Sequence, residues 1–295
     1  MTQEELTQFL SNTEKLFKEI YCFEQTFDIE PMGVKHVGAS IAYSEIMPRT
    51  EFFLKELRNT VISWVYSQEK QKKLFEERYQ MTSDFGNAVS FVNQLAKSKF
   101  RPGFPAGQFG ELLLFNFIQY FYKAPPLLRK MPITTSASLE RFGVDALHYG
   151  TDANGNNIFY LGEAKSYKSS FNAALEKALA SIQTTFNNFN AELDLYVYDG
   201  FITPALQKIA DDYKNNELEN VRFELVCILV YDEKEFDGQT QREKEESIKK
   251  SIENKTKSFK KEKFSSVQPN VLKKLHYVFF PVNNLDSILT DFERL

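Results

Sequence analysis

The stretch Asn157-Ile158-Phe159-Tyr160-Leu161-Gly162-Glu163-Ala164-Lys165 constrains the fold of this chain most, because it is apolar almost throughout and then ends on two opposite charges. Side chains alternate across a strand, so Phe159, Leu161, Glu163 and Lys165 share one face and Ile158, Tyr160, Gly162 and Ala164 the other. Both faces are apolar up to Glu163, as a central strand covered on both sides requires. An ionised carboxylate in such a place is costly unless a cation or donor meets it. Lys165, two residues on, is the nearest donor.

The neighbouring sequence supplies partners for this strand. Alternation predicts a second strand over 142–149, and Asp152-Ala153-Asn154-Gly155-Asn156-Asn157 has the chemistry of a hairpin turn between the two. A helix is expected from near Gln108 to Lys123, stopped by Pro125-Pro126. Ser169-Ser170 can cap another, in which Leu175, Leu179, Ile182 and Phe186 form a stripe. Further strands are expected over 193–198, 222–231 and 276–282, with a closing helix from Leu285 to Leu295. Residues 242–263, with nine basic and five acidic side chains, read as a solvated helix.

Before residue 100 the pattern is mainly helical. Thr2-Gln3-Glu4-Glu5 has capping-box spacing and opens an amphipathic helix carrying Leu6, Phe9, Leu10, Leu16, Phe17 and Ile20. Residues 21–48 read as turns with two short strands. Phe53, Leu54, Leu57, Val61, Trp64 and Val65 trace one face of a long helix from Thr50 to about Gln80, and another helix covers 84–97. Phe100-Arg101-Pro102-Gly103-Phe104-Pro105-Ala106-Gly107 is the clearest punctuation. It divides the chain into an N-terminal mainly helical region, 1–100, and an α/β domain, 101–295, with a mixed sheet flanked by helices.

Composition excludes several function classes. The 295 residues are 42% hydrophobic and 15% aromatic, enough for a full core, and the 28 Phe run from Phe9 to Phe292, leaving no long disordered tail. Cys22 and Cys227 are too few for a disulfide framework. The acidic start lacks a secretion signal, and the most apolar stretch, 111–122, is too short to span a bilayer, so a cytoplasmic protein with no membrane partner is expected. A net charge of -4 argues against gripping DNA by a general field, so nucleic acid must meet a local patch or be brought by a partner. No G-x-x-x-x-G-K-[ST] loop is present, which leaves the chain without an ATP motor of its own. Three scattered histidines, His36, His148 and His276, offer no zinc spacing.

Adjacent antiparallel strands place Asp145 and Glu163 where they can share a cation. Two carboxylates and the main-chain carbonyl of Ala164 form a partial oxygen shell for a hard divalent ion, Mg²⁺ or Mn²⁺. Lys165, on the same face as Glu163, could orient or deprotonate a water and offset phosphate charge. A plain structural reading stands beside this one, in which Glu163 and Lys165 form an ion pair and nothing more. His148, on the opposite strand face from Asp145, reads as a satisfied core histidine. Arg129, Lys130 and Lys168 are the candidate DNA-contacting cations.

Asp145 with Glu163-Ala164-Lys165 resembles the signature of the PD-(D/E)xK nuclease superfamily, with Val144 standing where the superfamily name would put Pro. The wider set Gly110-Glu111, Arg129-Lys130-Met131, Gly143-Val144-Asp145-Ala146-Leu147-His148 and Leu161-Gly162-Glu163-Ala164-Lys165 resembles the HamA family of bacterial Hachiman anti-phage defence, over roughly residues 105–190. The resemblance implies a restriction-endonuclease-like core and a metal-dependent DNase with Asp145, Glu163 and Lys165 as catalytic residues. It also implies a helicase partner (HamB) that restrains the nuclease until DNA is engaged. Glu111 is the third carboxylate implied by related nucleases. It is equally readable as a first-turn Glu favoured by the helix dipole. A catalytically inactive regulatory or nucleic-acid-binding subunit of the same fold is the alternative function.

Overall fold

The computed structural model describes residues 1–100, 103–129, 143–168, 170–197 and 204–294. The expected first helix is two short ones, α1 (Gln3–Thr7) and α2 (Glu14–Lys18). The Thr2/Glu5 capping box forms on α1, and five residues are too few to carry the apolar stripe any further. Strands β1 (Ile20–Thr26) and β2 (Lys35–Ile41) follow, then a small ribbon, β3 (Tyr43–Ser44) with β4 (Met47–Pro48). The long helix expected from Thr50 is divided into α3 (Thr50–Asn59), α4 (Val61–Val65) and α5 (Gln68–Thr82). The divisions fall at Thr60, whose hydroxyl donates to the Leu57 carbonyl, and at Ser67, whose side chain accepts from the Lys70 N–H as an N-cap. Helix α6 (Phe85–Lys97) is capped by Asp84.

Helix α7 (Pro105–Tyr122) is apolar on nearly every side and buried accordingly. Its Asn116 and Gln119 point into protein: Asn116 Nδ2 donates to Thr60 Oγ1 at 2.9 Å, and Gln119 Oε1 accepts from the Ser11 N–H at 2.8 Å. Strands β5 (Pro126–Leu128), β6 (Ala146–Thr151) and β7 (Asn157–Tyr167) lead to α8 (Phe171–Val197). That helix continues through Leu193 to Val197, where alternation predicts a strand; the spacing of Leu175, Leu179, Ile182 and Phe189 simply carries on to a buried Leu193. After α9 (Pro204–Lys214) come β8 (Val221–Glu233), α10 (Gln241–Ser258), a 3₁₀ turn (Lys261–Ser266), α11 (Pro269–Leu272), β9 (Leu275–Asn283) and α12 (Leu285–Glu293). Helix α10 is not solvated all round, because Lys244, Ile248, Ile252 and Thr256 form a buried stripe.

Seven described strands make one mixed sheet in the order β1-β2-β9-β8-β7-β6-β5. The middle four, β2, β9, β8 and β7, are parallel, and antiparallel strands flank them. Helices cover both faces. One core layer, with Phe159, Leu161, Leu229 and Phe279, lies under α8 and α10. The other, with Val226, Ile228, Val278 and Phe280, lies under α3, α4, α7 and α12 and draws on residues from both sides of position 100. The region 1–100 is mainly helical, and its strands β1 and β2 complete one edge of the same sheet.

Candidate functional site

The site forms where β6 stops and β7 runs on. The two strands pair from Thr151 opposite Asn157 to Ala146 opposite Gly162, and the Asp145 N–H donates to the Gly162 carbonyl at 3.1 Å. Strand β7 continues to Tyr167, paired with β8 along its other edge over its whole length. Residues two apart on a strand direct their N–H and C=O to the same edge. Ala164 therefore presents both groups to the edge that β6 has left. Its N–H donates to Asp145 Oδ2 at 2.9 Å, and its carbonyl faces the same way.

Small residues on one face of β7 let α7 lie close. A Cβ on Gly162 would stand 2.7 Å from Leu114 Cδ2 and 3.0 Å from Ala146 Cβ, and one on Gly110 would stand 2.8 Å from Ser166 Oγ. Gly110 and Gly162 thus make room for the helix-on-strand approach. That approach carries Glu111 to the rim of the cleft, from the opposite face of the sheet to Glu163.

On the other face Glu163 is 2% exposed and forms an ion pair with Lys165. Burial and the nearby Asp145 carboxylate push the Glu163 pKa up to about 7, against the pull of Lys165 and Ser181. Burial works against the Lys165 ammonium, but the Glu163 carboxylate outweighs it and holds the lysine above its ordinary pKa. Cys227, level with Glu163 on β8, is fully buried, and burial raises its thiol pKa well above the usual range.

These groups open onto a cleft of about 830 Å³ whose lining includes Glu111, Asp145, Glu163, Ala164, Lys165 and Lys168. Lys168 is paired with Asp286 of α12. Arg129 does not line the cleft; it is buried, its Nε donates to the Ser63 carbonyl at 3.2 Å, and burial lowers its pKa to about 10. Lys130 lies outside the described residues. Among the described residues no three His, Cys, Asp or Glu side chains are grouped to hold a metal, so Glu111 shares the cleft with Asp145 and Glu163 without completing a three-carboxylate cage. The local oxygen set is two carboxylates and the Ala164 carbonyl. It suits Mg²⁺, which takes one or two carboxylates and keeps several waters.

His148 is a core residue: its Nδ1 lies 2.8 Å from the Ala124 carbonyl, and burial lowers its pKa to about 3. Sequence reasoning missed Ser181 on α8 and Asp286, Thr290 and Glu293 on α12, all of which line the cleft. No motif marks them. Their only signal is the helical spacing of 286, 290 and 293, which cannot say what the face meets.

A family model, HamA, matches residues 15–294. No curated protein matches the sequence. The match takes the likeness seen in the motifs of residues 105–190 across nearly the whole chain, from α2 to the last turn of α12.

Proposed function

Since the chain belongs to the HamA family, we propose that it is the effector subunit of a Hachiman-type defence complex and hydrolyses DNA phosphodiester bonds with Mg²⁺ or Mn²⁺. The observation that carries this reading is Glu163: a buried carboxylate beside a second one, Asp145, with Lys165 on the same strand face and the cleft in front of them. Asp145, Glu163 and the Ala164 carbonyl would hold the cation, which when bound polarises phosphate and acidifies water. Asp145 is oriented for this by the Ala164 N–H, which also fixes its place at the end of β6. Lys165, kept protonated by its neighbours, acts as a donor and positive charge toward the phosphate rather than as a base.

DNA delivery falls to a helicase partner. The chain carries a net charge of -4, and DNA affinity at physiological salt grows with each phosphate neutralised. The basic stretch 242–263 suffices for a local contact only.

One observation favours the second reading, a catalytically inactive regulatory or nucleic-acid-binding subunit: Glu163 already has an ion-pair partner two residues away on its own strand, Lys165. Plasmid cleavage by the co-purified complex with ATP and Mg²⁺, and by the isolated chain, across a salt series, separates the two. Mg²⁺-dependent cutting that vanishes in Glu163→Ala supports the nuclease. Cutting that persists in Glu163→Ala, or no cutting by the complex, rejects it.

A further inference from the structure

Among its described lining residues the cleft has two lysines, Lys165 and Lys168, against five carboxylates, Glu111, Asp145, Glu163, Asp286 and Glu293. Both lysines are already engaged from within the protein, Lys165 by Glu163 and Lys168 by Asp286. The first pair belongs to the site described above. The second is supplied by α12.

Helix α12 is firmly seated. Leu285, Ile288, Leu289 and Phe292 are buried in the core, and the Leu285 N–H donates to Asp232 Oδ1 at 2.7 Å. Asp286, Thr290 and Glu293 follow at steps of four and three, so they share one helix face, and that face lines the cleft. Asp286 holds Lys168 at one end of it. Glu293 Oε1 accepts from the Gly103 N–H at 2.7 Å at the other. Both contacts put a carboxylate oxygen on a donor at the cleft, and carboxylate and phosphate oxygens compete for the same donors.

We propose that the α12 stripe is a built-in phosphate mimic: Asp286 and Glu293 occupy Lys168 and the Gly103 amide until a DNA backbone displaces them. The inference rests on the nuclease reading for the identity of the substrate. The helix need not move, because only its side chains must let go. The restraint is weak by design of its surroundings, since the Lys168 and Asp286 side chains are 60% and 65% exposed and an exposed pair withholds little. A strand that merely diffuses past binds a few-fold less well, whereas one fed into the cleft by a partner replaces one oxyanion with another.

The test uses the full chain carrying Glu163→Gln, without divalent metal, and fluorescence anisotropy with labelled single-stranded and duplex DNA over a salt series. Adding Asp286→Asn and Glu293→Gln should tighten binding about two- to fivefold, the range an exposed ion pair can withhold. The slope of log affinity against log salt should steepen by about 1, the mark of a new phosphate contact. Lys168→Ala on top should return the slope to its starting value, because the Gly103 amide carries no charge. Unchanged affinity and slope overturn the proposal. So does a steeper slope that survives Lys168→Ala, or an equal gain from Glu4→Gln with Glu51→Gln, which remove the same charge elsewhere. If the double variant melts early, Asp286→Asn alone carries the same test. Cleavage by the wild-type complex with Mg²⁺ is scored separately: no cutting with the binding gain intact sinks the nuclease reading alone, and cutting without the gain sinks the mimic alone.

Discussion

Two buried ionisable side chains sit on neighbouring strands and are treated in opposite ways. His148, in the middle of β6, has one acceptor, the Ala124 carbonyl, packs edge-on against Phe115, and is held neutral. Glu163, where β7 runs on past β6, faces a like charge, Asp145, as well as a cation, Lys165. The histidine is a satisfied core group whose removal should cost stability alone. The glutamate is held in a place where its charge is contested, and such a place is where function is to be sought.

The largest expected effect belongs to Glu163 and its partner. Lys165→Ala should lower Mg²⁺-dependent plasmid cleavage by the complex by roughly 10²–10³-fold while the Mg²⁺-induced rise in melting temperature remains; wild-type cutting rates in this variant would remove Lys165 from catalysis. His148→Gln should leave cleavage within a few-fold of wild type, and a loss as large as that of Lys165→Ala would erase the contrast.

Metal binding should separate the two sites next. A ligand at about 100 times its dissociation constant stabilises the fold by roughly 2.7 kcal/mol. Asp145→Asn should abolish the Mg²⁺-induced shift in melting temperature, measured by thermal unfolding with and without the ion. The same shift in His148→Gln should equal that of wild type. A shift that persists in Asp145→Asn would show that the ion sits elsewhere.

The pH dependence of stability should have opposite signs at the two positions. For Glu163 the folded pKa, about 7, lies above the ordinary 4.5. The folded state then binds the extra proton, and stability falls as pH rises between these values, by roughly 2–3 kcal/mol. Glu163→Gln should flatten that fall in urea unfolding of the metal-free chain at pH 5 and pH 8. An unchanged slope would mean that the carboxylate is not strained.

For His148 the folded pKa, about 3, lies below the ordinary 6.5. The unfolded chain binds the extra proton, so stability falls as pH drops below 6.5, by about 2 kcal/mol at pH 5. His148→Gln, which can still donate to Ala124, should reduce the acid slope. His36, buried and lowered to about 3 by burial and then by His276, should leave a residual slope of the same sign. If acid unfolding is indifferent to His148→Gln, the histidine is not the neutral core group described.

Much of the site was legible in the sequence because it is local. The alternation of β7 and the Asp152 turn that returns the chain follow from contacts between residues close in sequence, and the ladder from Ala146–Gly162 to Thr151–Asn157 bears this out. The strand expected over 142–149 is β6, Ala146–Thr151, so Asp145 stands just before it and is held by its N–H on Gly162 and its carboxylate on the Ala164 N–H. The small residues Gly110 and Gly162 were visible as a pattern, but their cause, the approach of α7 to β7, was not. Arg129 reads in sequence as a surface cation, yet it is buried against Ser63, because a sequence shows the charge of a side chain and not the wall beside it.

The sequence by itself determined the strand that carries Glu163-Ala164-Lys165, its hairpin partner, the mixed α/β class and the family likeness, since each rests on side-chain period or on residue order. Only the tertiary structure decided that β1 and β2 close one edge of the same sheet, that α8 continues through Leu193, that Glu111 reaches the cleft from the other face, and that α12 lays Asp286 and Glu293 along its rim. The physical reason is the range of the information. Periodicity reports which face of an element is apolar, whereas the partner of that face is chosen by burial among elements far apart in the chain.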